Sequence, residues 1–122
     1  MALRGIRGAI GVIEDQPENI IRATKTLLES MLTANPSLRT EDVASVIFTV
    51  TPDLSSTYPA KAARDLGWNQ VPILCTLEIP VPEGLPRILR ILIHWNTEIP
   101  QKEVSHVYLG DAARLRPDLT EK

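Results

Sequence analysis

Five side chains that could do chemistry stand inside stretches that otherwise read as strand. Arg7 lies in "ALRGIRGAIGVI", Cys75 and Glu78 in "VPILCTLEI", Arg90 in "RILRILIHWNT" and Tyr108 in "SHVYL". A guanidinium stays charged at any ordinary pH and is rarely buried without a partner, so Arg90 in an apolar run asks for one. Each residue also has a structural reading. Arg90 could be a gatekeeper that keeps an edge strand from aggregating, with Glu78 as its cross-strand ion partner. Cys75 could be an inert core residue and Tyr108 a packed ring with a satisfied hydroxyl. As chemical equipment, arginines, a carboxylate, a phenol and a thiol suit binding an anion and stabilising charge as it develops. They do not suit a Ser–His nucleophile or a metal-bound hydroxide. No G-x-S-x-G, Walker loop, H-E-x-x-H or G-x-G-x-x-G occurs. His94 and His106 lack neighbours at ligand spacing, so no metal site is expected.

The elements that must hold these groups follow from periodicity and punctuation. In "ALRGIRGAIGVI", Leu3, Gly5, Arg7 and Ala9 share one face if the run is extended. Pro17 opens a helix with Glu18 near its positive end, and Ile20, Thr24, Leu27, Leu28, Met31 and Leu32 fall on one face of it. "NPS" at 35–37 ends that helix. Thr40 suits the N-cap of a short turn through Glu41 and Asp42. "VASVIFTVT" (43–51) is a strand rich in β-branched residues. Pro59 starts a second helix, "AKAARDL", which Gly67 terminates. "VPILCTLEI" is a further strand, followed by the turn-rich "PVPEGLP".

"RILRILIHWNT" has two readings. As a helix it would line up Arg87, Arg90 and His94. As a strand it sends Ile88, Arg90, Leu92 and His94 one way and Leu89, Ile91, Ile93 and Trp95 the other. Isoleucine and tryptophan dominate and turns bracket the run, so the strand is favoured. After a short turn at "PQKEV", "SHVYL" forms a last strand before a turn and a polar tail. The order β-α-β-α-β-β-β predicts a mixed α/β (α+β) domain with helices packed on one sheet face. The other face then needs a cover, and a partner subunit is the economical one.

Composition narrows the function. The 122 residues are 43% hydrophobic, enough for the core of one domain spanning 1–122. A formal net charge of -2 argues against general nucleic-acid binding. The single cysteine excludes an intrachain disulfide or a Cys-rich metal cluster and fits a reducing cytoplasm. The N-terminal run has arginines inside it and no signal-peptide core, and no apolar run is long enough to span a membrane.

Six blocks, in order, resemble one family. "RGIRGA" (4–9), "TPDL" (51–54), "YPAKAAR" (58–64), "VPILCTLE" (71–78), "RILR" (87–90) and "HVYL…A…LRPDL" (106–119) are similar to the monofunctional chorismate mutases of the AroH class. The resemblance implies the Claisen rearrangement of chorismate to prephenate on the route to phenylalanine and tyrosine. It implies a homotrimer resembling a pseudo-α/β-barrel, sites in clefts between subunits, and no cofactor or metal. Carried over by position, Arg7 and Tyr108 hold the substrate's side-chain carboxylate and ether region. Cys75 and Glu78 contact the ring hydroxyl, and Arg90 is the central cation. Tyr58 stands where the family usually has phenylalanine, and Ala60 helps form the wall over the ring. Lys61 and Arg64 lie on a basic helix at the cleft mouth, and Ile73 and Leu74 line the strand. Leu115 and Arg116 match the C-terminal segment that closes over the site. Read from its own residues, the polar tail 116–122 could order over bound substrate as a lid. A different reading uses the same trimeric architecture, as in RidA-type small-ligand and imine-handling proteins, for carboxylate binding without mutase chemistry. A subunit with no ligand is a third. The joint presence of Arg7, Cys75, Glu78, Arg90 and Tyr108 favours the enzyme.

Overall fold

Alternation settles the form of 88–97. In a computed structural model, which describes residues 1–115, it is a strand whose side chains alternate between core and open face. The chain runs β1 (Ala2–Gly11), α1 (Pro17–Ala34), β2 (Val43–Val50), α2 (Ala60–Asp65), β3 (Ile73–Leu77), β4 (Ile88–Thr97) and β5 (Val107–Leu109). Short 3-10 turns occupy Thr40–Asp42, Gln101–Glu103 and Gly110–Arg114. This is the predicted order of strands and helices. The tail 116–122, including Arg116, lies outside the described residues.

The strands form one mixed sheet in the order β3-β2-β4-β1-β5. β4 runs antiparallel to both β1 and β2, while β2–β3 and β1–β5 are parallel. β4 is therefore the central strand. That overturns the reading of Arg90 as an edge gatekeeper, because both edges of its strand are paired.

Both helices lie on one face. Ile20, Leu27, Leu28 and Met31 of α1 pack with Ile6, Phe48, Leu89, Ile91, Ile93 and Trp95 of the sheet. The approach is close because of Gly8: a Cβ there would lie 2.5 Å from Met31 Sδ and 3.2 Å from Leu27 Cδ1. At the end of α2, Gly67 takes φ of +90°. Its N–H donates to Arg64 O and that of Trp68 to Ala63 O, the paired bonds of a left-handed helix stop. Thr40 differs from expectation. Asp42 N–H donates to Arg39 O, so the turn closes one residue earlier, with Arg39 as its N-cap and no side-chain cap.

The opposite face carries no helix. Leu3 and Leu74 are exposed there, with Ile47 and Leu92 half-buried between them. Two polar side chains hold up the β1–β5 side of the sheet. The Gln101 amide bonds Gly5 N–H and O, continuing the ladder where β5 has not yet begun. Buried Asn35 receives Ser105 N–H at 2.9 Å and donates to Ser105 O and Met31 O, each at 2.9 Å. It ends α1 and sets where β5 starts. Asn35→Ala removes these bonds and strands buried backbone groups. It should cost about 2–3 kcal/mol of stability, read as a lower Tm at fixed protein concentration.

Candidate active site

Strand register brings the polar groups together. Directly opposed residues form one row across all five strands: Thr76 on β3, Thr49 on β2, Arg90 on β4, Ala9 on β1 and Tyr108 on β5. Neighbouring strands lie about 4.8 Å apart, so Arg90 and Tyr108 stand about 10 Å apart with a methyl between them. That small residue makes a trough. Arg7, two residues from Ala9 and opposite Leu92, projects on the same face.

The trough is a cleft of about 210 Å³ lined by Arg7, Glu78, Arg90 and Tyr108, with Ile47, Thr49 and Leu92 among its apolar and hydroxyl surfaces. Glu78 follows β3, and its N–H extends the β2 ladder by bonding Val50 O at 2.9 Å. It is not on a strand adjacent to β4. Its carboxylate reaches over β2, where it accepts the Thr49 hydroxyl and meets Arg90 Nε at 3.5 Å. Thr49 thus holds the carboxylate that faces the arginine. The Arg90 side chain is 45% exposed and that of Glu78 24%, so the pair itself contributes about 1 kcal/mol or less after solvent screening. Arg7 has no acidic partner among the described residues. Two guanidiniums against one carboxylate leave the cleft net positive, the condition for holding an anion.

Further contacts hold Arg7 and Tyr108. Arg7 N–H donates to His106 Nδ1 at 2.9 Å. Tyr108 is buried with Ala9, Ile88 and Ala112, and Leu115 packs against that cluster. His94, on the open face, pairs with the Ser45 hydroxyl at 2.9 Å. Both histidines are thus engaged structurally.

The remaining expected residues lie elsewhere on the chain. Cys75 is exposed and opposes Phe48, whereas Thr76 opposes Thr49. With Tyr58, it lines a second depression of about 380 Å³ at the β3 edge. Ala60 is buried in the main core and Ile73 packs against it, while Leu74 is 69% exposed. Lys61 lines a groove between α1 and α2, and Arg64 is exposed in the last turn of α2. One chain therefore carries two separate depressions, and the first is small for a ligand pocket. Thr49, Ala9, Ile47 and Leu92 were missed from sequence. Their alternation was visible, but their nearness to Arg90 depends on strand order.

Three comparisons bear on this arrangement. The family model for chorismate mutase type I matches residues 3–119. The chorismate mutase AroH of Thermus thermophilus is 57% identical over 117 residues, covering 96% of each chain. That of Bacillus subtilis (strain 168) is 43% identical over 121 residues, covering 98% of this chain and 94% of the relative. Among solved structures, a chorismate mutase from Clostridium thermocellum superposes with a TM-score of 0.88 at 40% identity, covering 90% of this chain and 97% of that one.

The loop carrying Tyr58 is pinned by Asp15. Its Oδ1 accepts Ser55 N–H and Ser56 N–H, each at 3.0 Å, and its Oδ2 the Ser55 hydroxyl at 3.3 Å. The Ser56 side-chain hydrogen bond foremost holds this carboxyl below its ordinary 3.8; desolvation opposes it, and the Ser55 and Ser56 amides and the Ser55 hydroxyl lower it further. A lowered folded-state pKa gives stability that is present above the ordinary value and lost as pH falls through the lowered one. A carbon-13 titration of the Asp15 carboxyl should therefore show a midpoint below 3.8, moving upward in Ser56→Ala.

Proposed function

The chain belongs to the type I chorismate mutase family, and from that premise we propose how its own residues carry the rearrangement of chorismate to prephenate. In this Claisen step the ether C–O bond breaks as a C–C bond forms within one molecule. No proton is transferred and no covalent intermediate forms, so the reaction requires neither a general base nor a cofactor. What it needs is a held conformer and a charge at the breaking bond.

Holding the flexible enolpyruvyl arm over the ring is an orientation problem, worth up to about 7–11 kcal/mol in favourable intramolecular systems. Arg7 and Tyr108 are suited to it from one side of the trough, where they would grip the side-chain carboxylate. Negative charge then collects on the ether oxygen as the C–O bond stretches. Arg90 is placed to meet it, in the middle of the row, with a fork that can also reach a carboxylate and cannot deprotonate. A fixed cation there favours the transition state over the ground state. Glu78, steadied by Thr49, would orient Arg90 and accept the ring hydroxyl. The observation that carries this reading is the pair of arginines on one open sheet face with Glu78 as the cleft's carboxylate.

The two partial sites support an assembly. A small open cleft on one chain, a separate depression with Tyr58 and Cys75, and exposed Leu3, Leu74 and Leu77 fit a homotrimer of pseudo-α/β-barrel form. In it the Tyr58–Cys75 region of one copy would close the Arg90 cleft of the next, with Leu74 at the junction. Lys61 and Arg64 would then draw in a dianion from the cleft mouth. No helix among the described residues is long and apolar enough to cross a membrane, and a cytoplasmic setting suits the exposed free thiol of Cys75.

Arg90→Lys should lower kcat by about 10²–10³-fold with the fold intact, the usual loss for one preorganised donor; near-normal turnover would remove Arg90 from the breaking bond. Composite sites make a second outcome testable. Arg90→Ala and a Tyr58→Ala, Cys75→Ala double variant, each weak alone, should regain activity when unfolded together and reassembled, because mixed trimers restore some intact sites. Activity that stays at the average of the two would place each site within one chain.

A further inference from the structure

β4 begins at a strained corner. Arg87 has φ of +49°, a left-handed conformation that a long side chain rarely adopts. Such a residue persists only where its surroundings over-determine it. Here they do. Arg87 N–H donates to both carboxylate oxygens of Asp53, at 3.1 and 3.0 Å. The next amide, Ile88 N–H, donates to the Thr51 hydroxyl at 3.0 Å, which itself donates to Asp53 Oδ1 at 2.5 Å. On the other side Arg87 Nε donates to Val12 O at 3.0 Å, and Val12 N–H to Arg87 O at 2.8 Å. The first residue before β4 is thus tied to the chain just past β2 and just past β1.

The place matters because Arg90 is close to the end of its ladders. The β2–β4 pairing ends at Val50–Leu89, one pair beyond Thr49–Arg90. Terminal pairs fray unless something closes them. The segment bearing Glu78 leaves the sheet at this same end, through its bond to Val50 O. A change in the Arg87 dihedrals would turn the start of β4 about its axis and swing the guanidinium away from the trough. We propose that Asp53 is a positioning residue for Arg90: by clamping the Arg87 amide it sets the direction in which β4 presents its guanidinium. This rests on the reading of Arg90 given above. Asp53 itself is not placed in the cleft and touches no reacting atom.

The test is a set of full-length variants assayed with chorismate, with circular dichroism and Tm to confirm folding. Asp53→Ala should lower kcat by about tenfold or more while KM moves by less than about threefold, because a shift of an ångström in a charge donor acts on the transition state. Asp53→Asn, which keeps one acceptor oxygen, should fall between. Adding Arg87→Gly to Asp53→Ala should recover most of kcat, since glycine takes a positive φ without the clamp. In an Arg90→Lys background the effect of Asp53→Ala should shrink to under about twofold, since no aligned fork remains to misplace. A kcat within about twofold of the parent for Asp53→Ala, or an equal fold-loss in both backgrounds, overturns the proposal. Failure of the Arg90 reading itself would show separately, as normal turnover of Arg90→Lys alone. Should Asp53→Ala not fold, Asp53→Asn with and without Arg87→Gly carries the same comparison.

Discussion

A guanidinium on the central strand of a sheet is the constraint from which the rest of the structure follows. Both edges of β4 are paired, so Arg90 cannot escape to an edge, and its neighbours Ile88, Leu89 and Ile91 are buried. The charge is tolerated because it projects from the face without helices and because Glu78 stands 3.5 Å away. That pair is too exposed to repay much in stability. On the proposed reading the arginine answers to the ligand, and the open face of the sheet accommodates both.

The rest of the molecule holds that open face still. Gly8 lets α1 press against the reverse side of the sheet through Met31 and Leu27, beneath the strand that carries Arg7. Asn35, at the end of the same helix, fixes Ser105 and so the start of the strand that carries Tyr108. His106 takes the amide of Arg7 itself. Thr49 takes the carboxylate of Glu78. Each side chain of the cleft thus has a partner that fixes its backbone or its orientation, and most of these partners are uncharged. Preorganisation of this kind suits a reaction limited by conformer and charge placement, where no group must move a proton.

Much of this was legible in the sequence. The two-residue alternation of 88–97 placed Arg90 on the face opposite Trp95 and Ile93, and Pro17 marked the start of α1 correctly. Strand order was not legible, because β4 pairs with residues 39 to 95 positions away and local composition does not encode which strand lies beside which. For that reason Arg90 could pass for an edge gatekeeper, and Thr49 for one more β-branched residue. Glu78 was recognisable as an ion partner, though not as one that reaches across an intervening strand. The resemblance gives Cys75 and Glu78 a shared contact; within one chain they line different depressions. The corner at Arg87 left no mark in the sequence, since arginine gives no hint of a positive φ.

The role proposed for Arg90 requires that it favour the transition state over the substrate. A stable oxabicyclic dicarboxylate that mimics the bicyclic transition state offers the most direct measurement. Its dissociation constant should be determined calorimetrically for the parent protein and for Arg90→Lys and Arg90→Ala, beside kcat/KM for each. If Arg90 stabilises the transition state, the analogue's affinity falls in proportion to kcat/KM across the set, while the affinity for prephenate changes far less. Analogue binding that survives the loss of the guanidinium while turnover collapses would contradict it.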